Sequence, residues 1–129
     1  MFTGIIQAVG EVAALEQSGG DLKLRIKTGK LPLADVQLGD SIATNGVCLT
    51  VTELPGGGYW ADVSPETLSL TSLGTKSIGD PVNLETSLTL NTPLGGHLVS
   101  GHVDGVGKIQ EIIEDARFWR VKVAAPENR

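Results

Sequence analysis

Leu22, Leu24 and Ile26 alternate with Lys23, Arg25 and Lys27, the period-two pattern of a strand with one wet face. Ahead of it, residues 5–12 are largely apolar, with Gly10 as a candidate bulge or close-contact point, and Gln17 to Asp21 form a turn cluster. Two further strands, 41–44 and 48–53, flank Asn45-Gly46, the strongest hairpin dipeptide in the chain. Pro55-Gly56-Gly57-Gly58 closes another hairpin into a strand over 59–63. The pattern then changes. Ser64-Pro65-Glu66-Thr67 offers a cap, a proline suited to the first helical position and an acidic first turn. These predict a short helix over 65–73 that ends at Gly74, with Leu68, Leu70 and Leu73 partly buried. Ile78-Gly79-Asp80 echoes Leu38-Gly39-Asp40 and leads into a sixth strand over 82–88. The fold class is therefore all-β, a six-stranded antiparallel Greek-key barrel with one short helix.

The opening Phe2 to Ile6 returns in weaker form as Val99 to Val103. When the chain is slid on itself by 97 positions, Gly4, Val9 and Gly10 fall on Gly101, Val106 and Gly107. Thr3 meets Ser100, and Val12 meets Ile109. Leu22, Leu24 and Ile26 meet Trp119, Val121 and Val123, while Lys23 and Arg25 meet Arg120 and Lys122. Polarity preserved over two strands points to a duplicated unit. The expected organisation is a first barrel over 1–90, a linker over 91–97 and the beginning of a second barrel over 98–129. Position 129 matches Pro32, so the second copy holds only its first two strands, too few to bury a core. Those strands must dock elsewhere, stay loose or belong to a longer natural protein.

Composition narrows the function. At 129 residues with 17 glycines, the chain suits one small barrel and a remnant. A net charge of −5 offers no basic surface for a phosphate backbone, and aromatic residues make up only 4%, which disfavours a nucleic-acid- or oligosaccharide-binding barrel. No apolar run is long enough to span a bilayer, and the N-terminus lacks the pattern of a secretory signal. The single cysteine, Cys48, cannot form an internal disulfide, which agrees with a reducing, cytoplasmic compartment.

Four segments carry a family resemblance: Met1-Phe2-Thr3-Gly4-Ile5-Ile6, Asn45 to Thr52, Pro65-Glu66-Thr67-Leu68, and Gly95 to Gly105. In this order and spacing they resemble riboflavin synthase, a family with two lumazine-binding barrels in tandem. The resemblance implies dismutation of two molecules of 6,7-dimethyl-8-ribityllumazine. A four-carbon unit passes from one to the other, giving riboflavin and 5-amino-6-(ribitylamino)uracil. It implies no metal and no organic cofactor. A full-length parent would be a homotrimer, with lumazine synthase as a further partner. The substrate pocket of the first barrel would use Cys48, Leu49 and Thr50 together with Asp62, Val63, Ser64, Pro65, Glu66 and Thr67. Gly101, His102 and Val103 would complete it, while Gly4, Ile5 and Ile6 would serve the second barrel's pocket. Phe2, Ser41 and His102 match positions implicated in turnover.

These residue types suit the chemistry. A flat heteroaromatic with carbonyl and ring-nitrogen acceptors is held by strand-edge amides and short hydroxyls, and a ribityl chain needs several polar partners. The 7-methyl group of the lumazine is acidic because the ring delocalises the resulting anion. The protein then needs only to orient two rings and assist proton transfer. Blander readings stand beside these. Cys48 can be a small buried hydrophobe or, with a histidine near it, a nucleophile. His97, His102 and Asp104 lack a recognised metal-ligand spacing. Ser41 can simply begin a strand, His102 can be structural, and Asp62, Glu66 and their neighbours can simply cap the helix. Trp60 and Trp119 read as packing residues. Two function classes remain: an enzyme of riboflavin biosynthesis, and a module that binds lumazine or a flavin without turning it over.

Overall fold

The computed structural model describes residues 1–126; the last three residues of the expected 98–129 unit lie outside the described residues. Strands β1 (Ala8–Ser18), β2 (Asp21–Lys27), β3 (Ser41–Thr44), β4 (Val47–Glu53), β5 (Gly58–Val63) and β6 (Pro81–Thr86) form a closed barrel in the order β1-β2-β5-β4-β3-β6. Every pairing is antiparallel, and the β2–β5 and β3–β6 neighbours give the Greek-key order. Asn45 and Gly46 both hold positive φ, 49° and 77°, as a two-residue hairpin turn that follows the strand twist requires.

Alternation places the apolar residues inside. Leu24 and Ile26 on β2, Ile42 on β3, Val47, Leu49 and Val51 on β4, and Val82 and Leu84 on β6 are all buried and form one cluster. Each such side chain contributes about 1.5–3 kcal/mol relative to exposure. Tyr59 is fully buried and shares a hydrogen bond with the Thr44 hydroxyl. Burial pushes its phenol well above the ordinary tyrosine range, and the Thr44 bond opposes this only in part.

The wet face of β2 is only half exposed: Lys23 and Arg25 lie along the wall, with the Lys23 ammonium 6.0 Å from the Trp60 ring centroid. Strand β1 begins at Ala8 and runs through Ser18, so the turn expected over Gln17–Asp21 contracts to Gly19-Gly20. Both residues on either side gain ladder bonds by pairing Ser18 with Asp21. The predicted helix over 65–73 is two pieces, α1 (Pro65–Leu70) and a 3₁₀ turn, Ser72–Thr75. Thr71 breaks it: its backbone is extended and its hydroxyl caps the second piece by accepting the Leu73 N–H.

A separate hairpin follows, β7 (Lys108–Asp115) with β8 (Phe118–Ala124). Its ladder repeats that of β1–β2 at the same offset of 97 residues. Asp115 pairs with Phe118 as Ser18 pairs with Asp21, and the register shift at Ile109/Glu111 matches the one at Val12/Ala14. The 97-residue echo read in sequence thus extends to the register of backbone pairing. Ile109, Phe118, Trp119 and Val123 are each more than half exposed, so this hairpin covers no core of its own. No helix among the described residues is long and apolar enough to cross a membrane.

Candidate functional site

On β4, Val47, Leu49 and Val51 face the core, which leaves Cys48 and Thr50 on the outside of the barrel. Across the ladder, Cys48 pairs with Ala43, and Ala43 with Glu85 on β6. This outer patch is nevertheless covered. Two segments of the chain lie over it, the N-terminal arm and residues 99–103, and they pair through Phe2 and Val99. The Phe2 N–H donates to the Val99 carbonyl at 2.8 Å and the Val99 N–H returns the bond at 2.9 Å. Phe2 is 1% exposed beneath them.

Beyond Val99, the chain passes over Cys48. The Cys48 N–H donates to the Gly101 carbonyl at 3.0 Å. Gly101 sits at φ +79°, and a Cβ there would stand 2.8 Å from the Cys48 Cβ and 3.1 Å from Phe2 Cε2. Only glycine permits both that backbone conformation and that approach. From the other side comes α1. The Ser64 hydroxyl accepts the Thr67 N–H at 3.2 Å and donates to Thr67 Oγ1 at 3.0 Å, fixing the first turn and leaving the Thr67 hydroxyl proton free to donate outward.

Between these elements lies a cavity of about 230 Å³. Cys48, Glu66, Thr67, Gly101, His102 and Val103 line it, all singled out by sequence. Val47, Leu70 and Thr71 line it as well and were missed. Leu70 follows Thr67 by three positions on the helix, so helical spacing could have found it, whereas Thr71, extended just past the helix end, carries no such signal. Nor does Val47. The cavity offers a thiol, a carboxylate, a hydroxyl and an imidazole around an apolar floor, suited to a flat ring with polar edges.

Other expected residues fall elsewhere. Leu49 and Val63 are 4% and 1% exposed in the core. Asp62 is exposed opposite Lys23, and Thr50 is exposed opposite Ser41. Ser64 and Pro65 cap and start α1, the plainer role weighed for them. Ser41 lines a different cavity of about 220 Å³ with Asp40, Thr86 and Thr92. Gly4, Ile5 and Ile6 do not line the first cavity; the two isoleucines are about half exposed. A larger concavity, about 640 Å³, opens beside Glu11, Arg25 and Lys27 and contains none of the expected residues, so size alone does not mark the site. Among the described residues, no group of three or more His, Cys, Asp or Glu side chains converges as a metal site would.

The lumazine binding domain family matches residues 3–87. Riboflavin synthase from Photobacterium leiognathi is 49% identical over 126 residues, 98% of this chain and 58% of the relative. Riboflavin synthase from Bacillus subtilis (strain 168) is 48% identical over 95% of this chain and 58% of its own length. The chain therefore spans under two thirds of the curated relatives it matches. A structure of LumP complexed with riboflavin superposes with a TM-score of 0.81 at 25% identity, covering 99% of this chain and 69% of that one.

Proposed function

The chain belongs to the lumazine-binding domain family, and from that premise we propose that it holds 6,7-dimethyl-8-ribityllumazine as part of a riboflavin synthase. The observation that carries this reading is the convergence of Cys48, Thr67 and the 101–103 segment on one cavity, joined to identity near one half with riboflavin synthases. The family match supports the barrel, and the cavity supplies the chemistry. Glu66 and Thr67 receive ribityl hydroxyls at the start of α1. The ring lies against Cys48 beneath Gly101, with His102 at its edge to pass a proton to or from the 7-methyl carbon.

The reaction takes two such molecules. One loses four carbons and leaves as the ribitylaminouracil, the other gains them as riboflavin, and the atoms balance with no oxidant or co-reactant. The contribution of the protein is then orientation of two rings and modest proton transfer. A cavity of about 230 Å³ is below the usual range of about 300–1,000 Å³, so a second ring or chain completes it. Ser41 lines a different cavity, and in this reading it meets the ligand of another copy in a homotrimeric parent, with one barrel from each of two subunits at a site. The expected division into a barrel over 1–90, a linker and the opening of a second barrel fits the twin hairpin ladders. A cytoplasmic setting keeps Cys48 reduced.

A second reading is favoured by the exposed β7–β8 hairpin: this polypeptide binds the lumazine without turning it over. One experiment separates the two. The chain is incubated with 6,7-dimethyl-8-ribityllumazine as sole substrate while riboflavin and ligand fluorescence are followed. Riboflavin formation supports the synthase; a saturable fluorescence change without riboflavin supports the binding module. A flat titration refutes both.

A further inference from the structure

Glu85 is the one carboxylate in the buried set, at 3% exposure, and no cation pairs with it among the described residues. Three donors from the N-terminal arm satisfy it instead. Its Oε2 accepts the Thr3 N–H at 2.7 Å and the Thr3 hydroxyl at 2.8 Å, and its Oε1 accepts the Gly4 N–H at 3.1 Å. Such charge-assisted bonds are stronger than neutral ones. The arm has no ladder of its own. Its other ties are the Phe2–Val99 pair, single bonds from Leu88 N–H to Met1 O and from His97 N–H to Thr3 O, and, at its far end, the Gln7 N–H to Leu84 O and the Thr86 N–H and hydroxyl to Gln7 Oε1.

The 97-residue repeat supplies an internal comparison. The His102 N–H donates to Ser100 Oγ at 3.2 Å as the Ile5 N–H donates to Thr3 Oγ1 at 3.1 Å. Gly101 and Gly4 share similar positive φ, +79° and +86°. The two loops are built alike, but only the first is held by a carboxylate. Among the described residues no acceptor is recorded for the Ser100 and Gly101 N–H groups. The second loop, which roofs the cavity, therefore takes its place from the first through Phe2–Val99, and from Cys48 through the Gly101 carbonyl.

We infer that Glu85 is a positioning residue for the candidate pocket. By anchoring Thr3 and Gly4 it fixes Phe2, Phe2 fixes Val99, and Val99 sets Gly101–Val103 over Cys48. The consequence for ligand affinity rests on the proposed lumazine site; the mechanical coupling does not.

Cys48 provides a built-in reporter, because it is the only cysteine, is half-buried, and lies under Gly101. The test measures its labelling rate with 5,5′-dithiobis(2-nitrobenzoate) in the 129-residue chain, alongside lumazine titration and far-UV circular dichroism. Glu85→Gln turns an acceptor toward its donors into an amide N–H. It is expected to speed labelling by about tenfold or more and weaken ligand affinity comparably, with the barrel spectrum unchanged, since labelling tracks the open population of the roof. Thr3→Val, which removes the hydroxyl's bond to Glu85 and its bond from the Ile5 N–H but keeps both backbone bonds to the carboxylate, gives about a threefold change in the same direction, and Thr3→Ser keeps wild-type labelling. Labelling within twofold of wild type in folded Glu85→Gln and Thr3→Val overturns the coupling. If Glu85→Gln does not fold, the Thr3 pair decides. Faster labelling in a chain that never binds lumazine upholds the coupling and refutes the ligand.

Discussion

Replacing Gly101 with alanine tests the roof of the cavity directly. A Cβ there lies 2.8 Å from the Cys48 Cβ and 3.1 Å from the Cys48 nitrogen, both fixed to β4 and unable to swing aside. The loop has to retreat, and the Cys48 N–H to Gly101 carbonyl bond of 3.0 Å is lost with it, a net cost of about 1 kcal/mol. Holding a non-glycine residue at φ +79° adds about 1–2 kcal/mol. The sum, about 2–3 kcal/mol, acts on the docked position of residues 99–103 and not on the barrel beneath. At about 1.4 kcal/mol per decade, lumazine or riboflavin affinity falls by about 30- to 150-fold. Fluorescence titration of wild type, Gly101→Ala and Gly20→Ala measures it; Gly20 is the control because a Cβ there meets nothing within 4 Å. Gly101→Ala binding within about threefold of wild type refutes the roof, since about 2 kcal/mol cannot hide in so small a change.

Three further outcomes are expected. Thr67→Ala weakens ligand binding by about fivefold, roughly one hydrogen bond, while Ser18→Ala at the β1 turn leaves it unchanged; equal losses remove Thr67 from the site. Gly10→Ala destabilises the barrel by about 2 kcal/mol, because its Cβ falls 2.2 Å from the Lys27 carbonyl oxygen and 2.6 Å from Leu84 Cδ1; an unchanged denaturant midpoint contradicts this. Because the folded-state pKa of Tyr59 is raised, its contribution is fully present below the unfolded value of about 10 and is lost as pH rises above it. Between pH 9 and 11.5, wild-type unfolding free energy therefore drops more steeply than that of Tyr59→Phe, by about 1.4 kcal/mol per pH unit once past 10. Parallel curves refute the shift.

Some features were written in local chemistry and others in packing. Period-two patterning located β2, turn residues bracketed β3 to β6, and Asn45-Gly46 set a hairpin, because strand polarity and turn conformation depend on neighbours in sequence. Strand β1, expected over 5–12, starts and ends later, at Ala8–Ser18. The break at Thr71 escaped local reading, since an extended backbone inside a leucine-rich stretch is decided by how Leu73 reaches the core. Motif residues Cys48, Glu66, Thr67 and Gly101–Val103 were legible and converge. Asp62, Thr50 and Ser41 were equally legible as polar motif members, yet they lie farther along the outer surface of the barrel, Thr50 and Ser41 two residues on from the Cys48–Ala43 pair and Asp62 opposite Lys23, outside that cavity.

The sequence by itself determined the barrel, the family and the 97-residue echo, for these follow from polarity, turn residues and spacing along one chain. Only the tertiary structure decided that Phe2 and Val99 pair to hold the loop over the cavity and that Glu85, remote in sequence from Thr3 and Gly4, fastens the arm beside it. The physical reason is that a buried carboxylate is satisfied by whichever donors the fold brings within about 3 Å, and nothing adjacent to Glu85 in the chain names Thr3 and Gly4 as those donors.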